Sequence, residues 1–480
     1  MYKPTIGLEI HVELSTKSKM FCSCLNDPDE RKPNTNVCPV CMGHPGTLPV
    51  INEEAVRKVI KTGLALDCHI CEDSKFDRKN YFYPDLPKGY QISQYDKPFC
   101  LAGSLKVGGK KIRIKRVHLE EDTGKLLHPT GENYSLVDFN RAGVPLMELV
   151  TEPDMSSAKE ARGFAQELHL LMHYLNVSDA DMEKGQMRVE VNISLSKDEK
   201  FGTKVEIKNI NSFRSVEKAI DFEIKRQAEE LDEGKKIVQE TRGWNDARGT
   251  TVSQREKEEA HDYRYFPEPD LPALKTSAEL VNGIKSEIPE LPRQKRERLR
   301  KEYGLEKELA EIFVYDKAFG EYFEKVVSEF GSNLPKEELF CSIKLATNYL
   351  TSDLKGLLGE KSVLGKDFVI TPVHFAEFIA LIYQGKISSK IAKVVLAEMF
   401  KTGASSLNII KDKGLNQITD ESEIEKAAKE VISNNPNAVN EYKKGKANAL
   451  QFLVGQVMAK TKGKANPQIV NNLLRKLLTR

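Results

Sequence analysis

The sequence predicts an α+β body followed by all-α modules, and three observations carry that prediction. Apolar and ionisable residues alternate over residues 5–14 and 186–195, the period of strands with one packed face. Residues 157–177 and 216–231 repeat their apolar positions at helical spacing instead. Beyond Pro289 and Pro292 the pattern is helical almost throughout, as in 391–400 and 450–459. At 480 residues the chain exceeds what one core supports, so two to four domains are expected.

Taken in order, the first strand sends Ile6, Leu8, Ile10, Val12 and Leu14 to one side and Glu9, His11 and Glu13 to the other. Behind it stand Cys22, Cys24, Cys38 and Cys41, two tight pairs separated by a loop. Four thiolates so spaced suit a structural zinc held tetrahedrally in a ribbon; four unrelated buried thiols are the bland alternative. Residues 75–85 combine Lys75, Arg78 and Lys79 with Tyr81, Phe82 and Tyr83, a set suited to phosphates and to stacking, or to nothing more than a surface loop. Residues 118–122 and 145–149 then place Glu120, Glu121 and Glu148 inside strand-like apolar runs. Buried carboxylates need a compensating positive charge, and a divalent cation supplies it where several converge. Solvated strand faces and surface ion pairs explain the same spacing.

The helix over 157–177 opens on Ser157 with Glu160 three residues on, a capping box, and the helix over 216–231 stops near Gly234. The strand over 186–195 puts Val189, Val191, Ile193 and Leu195 on one face and Arg188, Glu190, Asn192 and Ser194 on the other. Pro289 to Pro292 reads as a linker, and the mixed-charge stretch 293–301 after it as a solvated helix. From Tyr442 to Arg480 there are nine Lys or Arg and no Asp or Glu, and Lys-Gly-Lys-Ala-Asn occurs at 444–448 and 462–466. Each copy precedes a helical pattern, where cations and free N–H groups attract a phosphate backbone.

Composition excludes several classes. With 73 Lys+Arg against 71 Asp+Glu, a net charge of +2, nucleic-acid contact must come from local patches. No run of eighteen apolar residues and no leader pattern is present, so a soluble cytoplasmic protein without membrane contact is expected, its cysteines reduced. Cys68 and Cys71 are read as free thiols, Cys100 and Cys341 as packed ones. Neither a P-loop nor a G-x-G-x-x-G run occurs, which leaves carboxylate-held Mg²⁺ and basic side chains to bind any nucleotide. No glutaminase signature is found.

The motifs are more specific than their spacings. Ile6-Gly7-Leu8-Glu9-Ile10-His11-Val12-Glu13-Leu14, Ser74-Lys75-Phe76-Asp77-Arg78-Lys79-Asn80-Tyr81-Phe82-Tyr83-Pro84-Asp85, Tyr90-Gln91-Ile92-Ser93-Gln94 and Asp262-Tyr263-Arg264-Tyr265-Phe266-Pro267-Glu268-Pro269-Asp270, with residues 118–125, 135–143, 452–456 and 465–467, resemble the B subunit of the bacterial glutamyl/aspartyl-tRNA amidotransferase, GatCAB. The resemblance spans essentially the whole chain. It implies a cradle domain of glutamine-synthetase type with a zinc ribbon over 1–292, a helical domain over 293–405 and a tRNA-binding tail over 406–480. It also implies an ATP-dependent ligase that phosphorylates and then amidates the side-chain carboxylate of Glu-tRNA(Gln) or Asp-tRNA(Asn).

By the same resemblance, Glu9, His11, Glu120 and Glu148 are the Mg²⁺-binding catalytic set, with Glu121 the neighbour most easily confused with Glu120. Lys75, Arg78, Lys79, Tyr81, Tyr83 and Asn140 are implied in cofactor, phosphate or aminoacyl contacts, while Glu190 and Lys208 rest only on polar strand faces. Ammonia is expected from a separate amidase, the complex's A subunit, with a small C subunit completing the assembly. Two other classes compete: a non-catalytic tRNA-binding scaffold, and a freestanding ammonia ligase acting on a small acid.

Overall fold

The alternating first stretch forms strand β1 (Lys3–Glu13) at the middle of a nine-stranded sheet in the computed structural model. The described residues are 2–198, 200–256, 263–331, 334–415, 421–461 and 464–479. Asp262 of the tyrosine-rich motif, Lys462 and Gly463 of the second Lys-Gly-Lys-Ala-Asn copy, and Arg480 lie outside them. The chain divides into two units, Met1–Pro292 and Arg293–Arg480.

After β1, the first unit runs α1 (Glu53–Ala65), β2 (His69–Ile70), β3 (Asp73–Ser74), β4 (Asp77–Asn80), β5 (Tyr90–Ser93), β6 (Cys100–Val107) and β7 (Lys110–Glu121). It continues with β8 (Lys125–Leu127), β9 (Leu136–Asp138), β10 (Pro145–Thr151), α2 (Ala158–Leu175), β11 (Met187–Ser196), β12 (Val205–Lys208) and α3 (Phe213–Asp232). β13 (Glu240–Asn245), β14 (Thr250–Glu256), β15 (Phe266–Pro267), β16 (Leu274–Lys275) and α4 (Ala278–Ser286) close it. The large sheet has the order β14-β13-β12-β11-β1-β10-β7-β6-β2, antiparallel at every pair except β12–β13. β15-β4-β5 form a separate three-stranded sheet.

The two faces of the large sheet differ as the alternation requires. Ile6, Leu8, Ile10 and Val12 are buried in one apolar cluster with Phe164, Leu168 and Leu171 of α2 and Val216 and Ile220 of α3. Each such side chain contributes roughly 1.5–3 kcal/mol on burial, so the apolar face holds the helices and leaves the polar face to chemistry. Ser157 Oγ accepts from the Glu160 N–H at 3.3 Å, starting α2. The Glu160 carboxylate accepts from the N–H of Ser156, not of Ser157, so the expected box closes one residue early. α3 begins at Phe213, three residues before the predicted start, because the Ser212 side chain caps it by accepting from the Ser215 N–H. Asn176 ends α2 in the left-handed region at φ 55°.

Every described element of the second unit is a helix, from one that starts at the boundary, Pro292–Tyr303, to Pro467–Leu478. The predicted 391–400 and 450–459 lie within Ser389–Thr402 and Ala447–Lys460. Ile424, Leu453, Val470 and Leu474 anchor an apolar core near the C-terminus. Among the described residues no helix is long and apolar enough to cross a membrane. Cys100 is buried as expected, but Cys341 is exposed: on helix Lys336–Asn348 the buried positions begin with Ser342 and Ile343, and Cys341 falls on the outward side.

Candidate active site and metal centres

Strand register assembles the polar face. Residues directly opposite one another on neighbouring strands share a face, and the pairing aligns His118 of β7, Glu148 of β10, His11 of β1 and Arg188 of β11 in one row. Glu9 pairs with Glu190 in the next row. Glu120, two residues from His118, faces the same way. Side-chain ligand atoms of Glu9, His11 and Glu148 lie within 4.8 Å of one another, as do those of His118, Glu120 and Glu148, and those of Glu9, Glu190 and Glu206. The four residues that the motifs single out as a metal set are thus gathered on one surface, Glu148 being shared by two groups.

Two imidazoles hold these carboxylates together. His11 Nε2 lies 3.7 Å from Glu120 and 3.5 Å from Glu148, and His118 Nε2 lies 3.8 and 3.4 Å from the same pair. Arg116 reaches Glu148 at 3.4 Å, and Ser93 Oγ donates to Glu120 at 2.9 Å from the small sheet. His118 and Glu120 are each 2 % exposed and Glu148 5 %. Burial alone makes such anions costly.

Titration follows from that cost. Burial, reinforced by Glu148 and Glu190, pushes the Glu9 carboxyl up to about 7. For His11, burial pulls downward, but the hydrogen bond and charge of Glu148 outweigh it and raise the imidazole to about 9. Burial likewise opposes ionisation of Glu148, and the positive field of His118, His11 and Lys79 overcomes it, holding that carboxyl well below the usual range. The carboxylates around His11 thus favour its protonated form. Nδ1 of both His11 and His118 is buried without a hydrogen-bond partner. Carboxylates converging with the Nε2 atoms of two imidazoles offer donors of the kind that a divalent cation takes.

Beside the anions lies Lys79, for which no carboxylate among the described residues stands at ion-pair distance. Its Nζ sits 5.0 Å from the Tyr263 ring and 5.8 Å from Tyr81, and its charged form is favoured, against burial, by Glu120. Tyr81 and Tyr263 meet edge to face at 5.9 Å, and Tyr95 stacks on Tyr265 at 4.3 Å. Tyr83 is exposed. The structure gives other members of the expected cofactor set different places. Lys75 is paired with Asp77 at 2.6 Å and Asp96 at 2.8 Å, and Arg78 is forked onto Glu268 by two bonds of 2.7 Å, so both charges are already matched. Asn140 is fully buried; it accepts from Thr35 and Asn36 N–H at 2.8 and 2.9 Å and donates to Lys32 C=O at 2.8 Å. Its amide is engaged by the backbone of the cysteine loop and so anchors that loop.

His118, Arg116 and Glu206 join the cleft although the motifs assign them no role. The sequence carries the signals: His118 stands two before Glu120, and Glu206 alternates with Lys208 on β12. Lys208 pairs with Glu190 at 2.8 Å.

The cysteine pairs also converge: the sulfurs of Cys22, Cys24, Cys38 and Cys41 lie within 4.8 Å of one another. Cys41 Sγ accepts from the Cys38 N–H at 3.1 Å, and the buried Lys19 Nζ stands 3.9 Å away. Hydrogen bonding from Cys22, then the Cys38 N–H and the charge of Lys19, depress the Cys41 thiol to about 5. A set of four thiols with one already inclined to ionise suits a tetrahedral metal such as zinc.

The sequence of this chain agrees with known families over both units. Residues 4–282 match the GatB/GatE catalytic domain and 321–478 match the GatB domain. The chain is 52 % identical to the B subunit of the aspartyl/glutamyl-tRNA(Asn/Gln) amidotransferase of Persephonella marina. It is 49 % identical to the corresponding protein of Thermotoga maritima and 50 % to that of Caldicellulosiruptor saccharolyticus, over 99 % of both chains in all three cases. The convergent carboxylate–histidine face, the cysteine cluster and full-length similarity therefore lead to one conclusion: the chain belongs to the family of aspartyl/glutamyl-tRNA(Asn/Gln) amidotransferase B subunits.

Proposed function

We propose that this chain is the kinase and amidation subunit of a glutamine-dependent tRNA amidotransferase, converting Glu-tRNA(Gln), Asp-tRNA(Asn) or both to the amidated forms in the cytoplasm. The observation that carries the reading is the gathering of Glu9, Glu120 and Glu148 around His11 and His118 on one sheet face beside Lys79. Hydroxide is a poor leaving group, so the substrate carboxylate must first become an acyl phosphate, which ammonia then attacks with loss of phosphate. Mg²⁺ bound with ATP would supply charge neutralisation on the transferring phosphoryl group.

The residues of this chain account for the rest. Glu9, Glu120, Glu148 and His11 would hold the cation, with His118 locking Glu120 and Glu148 in place. Lys79 faces the same anions and would take a phosphate oxygen, while Tyr81 and Tyr263 wall the cleft. The 1–292 body serves as the cradle and the four cysteines carry structural zinc. In the second unit, 293–405 would be a helical spacer and 406–480 a tail whose lysines grip the tRNA backbone. An amidase, the A subunit, supplies ammonia and a small C subunit completes the complex. The assay is amidation of labelled Glu-tRNA(Gln) by the assembled complex with ATP and glutamine. Glu9→Ala and Glu120→Ala should each abolish product while glutamine hydrolysis by the partner survives; full amidation in both would overturn the assignment.

A further inference from the structure

Beneath the cysteine cluster lies a lysine that the amidation chemistry does not use. Lys19 is 0 % exposed. Its backbone is held on both sides, the N–H donating to the Cys24 C=O at 3.0 Å and the C=O accepting from Asn52 Nδ2 at 3.2 Å. Its Nζ donates to the Phe139 C=O at 3.2 Å and stands 3.9 Å from Cys41 Sγ. Taking an ammonium out of water is costly unless an anion faces it, and a carbonyl oxygen carries no net charge.

Among the described residues no carboxylate stands at ion-pair distance from Lys19. Glu121 and Asp270 line the pocket over Cys22 and Cys41, but both are engaged elsewhere. Glu121 is held by Lys88 at 2.5 Å and by the Ile92 N–H at 3.0 Å, and Asp270 faces Arg78 at 3.4 Å. The sulfur cluster is therefore the anion left to answer the buried charge. Four thiolates around one Zn²⁺ would carry two net negative charges, and in a site shielded from water a cation beside them is attracted strongly even without a short hydrogen bond.

We propose that Lys19 is the internal counter-ion of a tetrathiolate zinc centre, offsetting one of its two net negative charges from beside Cys41 and so tightening metal binding. Through the Phe139 C=O the same ammonium ties the centre to the 139–143 turn that leads into β10, the strand of Glu148. This role rests on the zinc reading of the cysteines and not on the amidation reading.

The test is competition for Zn²⁺ between the metal-free full-length chain and a chelator of known affinity, with melting curves recorded with and without Zn²⁺. Lys19→Met keeps an unbranched stem and removes the charge, and it should weaken Zn²⁺ by about tenfold or more. Lys19→Gln keeps a donor for the Phe139 C=O without the charge. It should lose affinity to a similar extent, and it carries the test if the Met variant does not fold. A purely structural lysine would lower the metal-free melting temperature and leave the Zn²⁺ affinity as it was. Affinity within about twofold of wild type in a folded variant would overturn the proposal. A wild-type chain that binds no Zn²⁺ would overturn the zinc reading itself, and the counter-ion with it.

Discussion

Replacing Glu148 with Gln changes little of the shape of the cleft and removes its central charge. The carboxylate is shared by two candidate ligand groups and contacts His11, His118 and Arg116 at 3.5, 3.4 and 3.4 Å. A charge-assisted contact of this kind is worth about 1.5–3 kcal/mol, and each 1.36 kcal/mol is a factor of ten. Glu148→Gln should therefore weaken Mg²⁺ by about 10- to 150-fold, and lower amidation further where the cation also stabilises the transferring phosphoryl group. The assay is a Mg²⁺ titration of ATP-dependent amidation in the assembled complex, with glutamine hydrolysis followed in the same samples. The charge that raises His11 is lost as well, so the imidazole of the metal-free variant should titrate below the wild-type value of about 9. A Mg²⁺ requirement and rate within about threefold of wild type would refute the placement of Glu148 at the cation.

Two further outcomes follow from other parts of the molecule. Cys22→Ser with Cys38→Ser should lose about one zinc per chain by elemental analysis; retention of full zinc would move the metal to other ligands. Asp154 is held below the ordinary carboxylate range chiefly by its hydrogen bonds from Arg113, whose guanidinium sits 2.6 Å away. A depressed carboxylate stabilises the fold above its unfolded pKa and loses that contribution as pH falls through the folded one. Asp154→Asn should thus melt slightly below wild type at pH 7, as befits a partly solvated pair, and the gap should close as pH falls below the ordinary carboxylate range; a gap that widens in acid would contradict this.

Much of the site could be read along the chain because its strands alternate. Period two fixed which side chains of residues 5–14 share a face, and it applies equally to His118 with Glu120 and to Glu206 with Lys208. Cysteine spacing similarly pointed to a cluster, since both members of each pair are close whatever the rest of the chain does. Ion-pair partners were legible only in part: Lys75 and Arg78 look like phosphate ligands in sequence, and Asp77 stands two residues from Lys75, but Asp96 and Glu268, 21 and 190 residues away, also pair with them. For Asn140, whose role only the resemblance implies, the backbone partners lie more than a hundred residues earlier.

By itself, then, the sequence determined the α+β body, the helical second half, the polar side of each central strand and the four-cysteine cluster, all properties of residues near one another. Tertiary structure decided which rows of those strands meet: His11 opposite Glu148, Glu148 opposite His118, Glu9 opposite Glu190. A slip of one residue in any pairing would have turned the carboxylates into the core. That register is set by packing the apolar face on α2 and α3, a long-range condition that no local pattern contains.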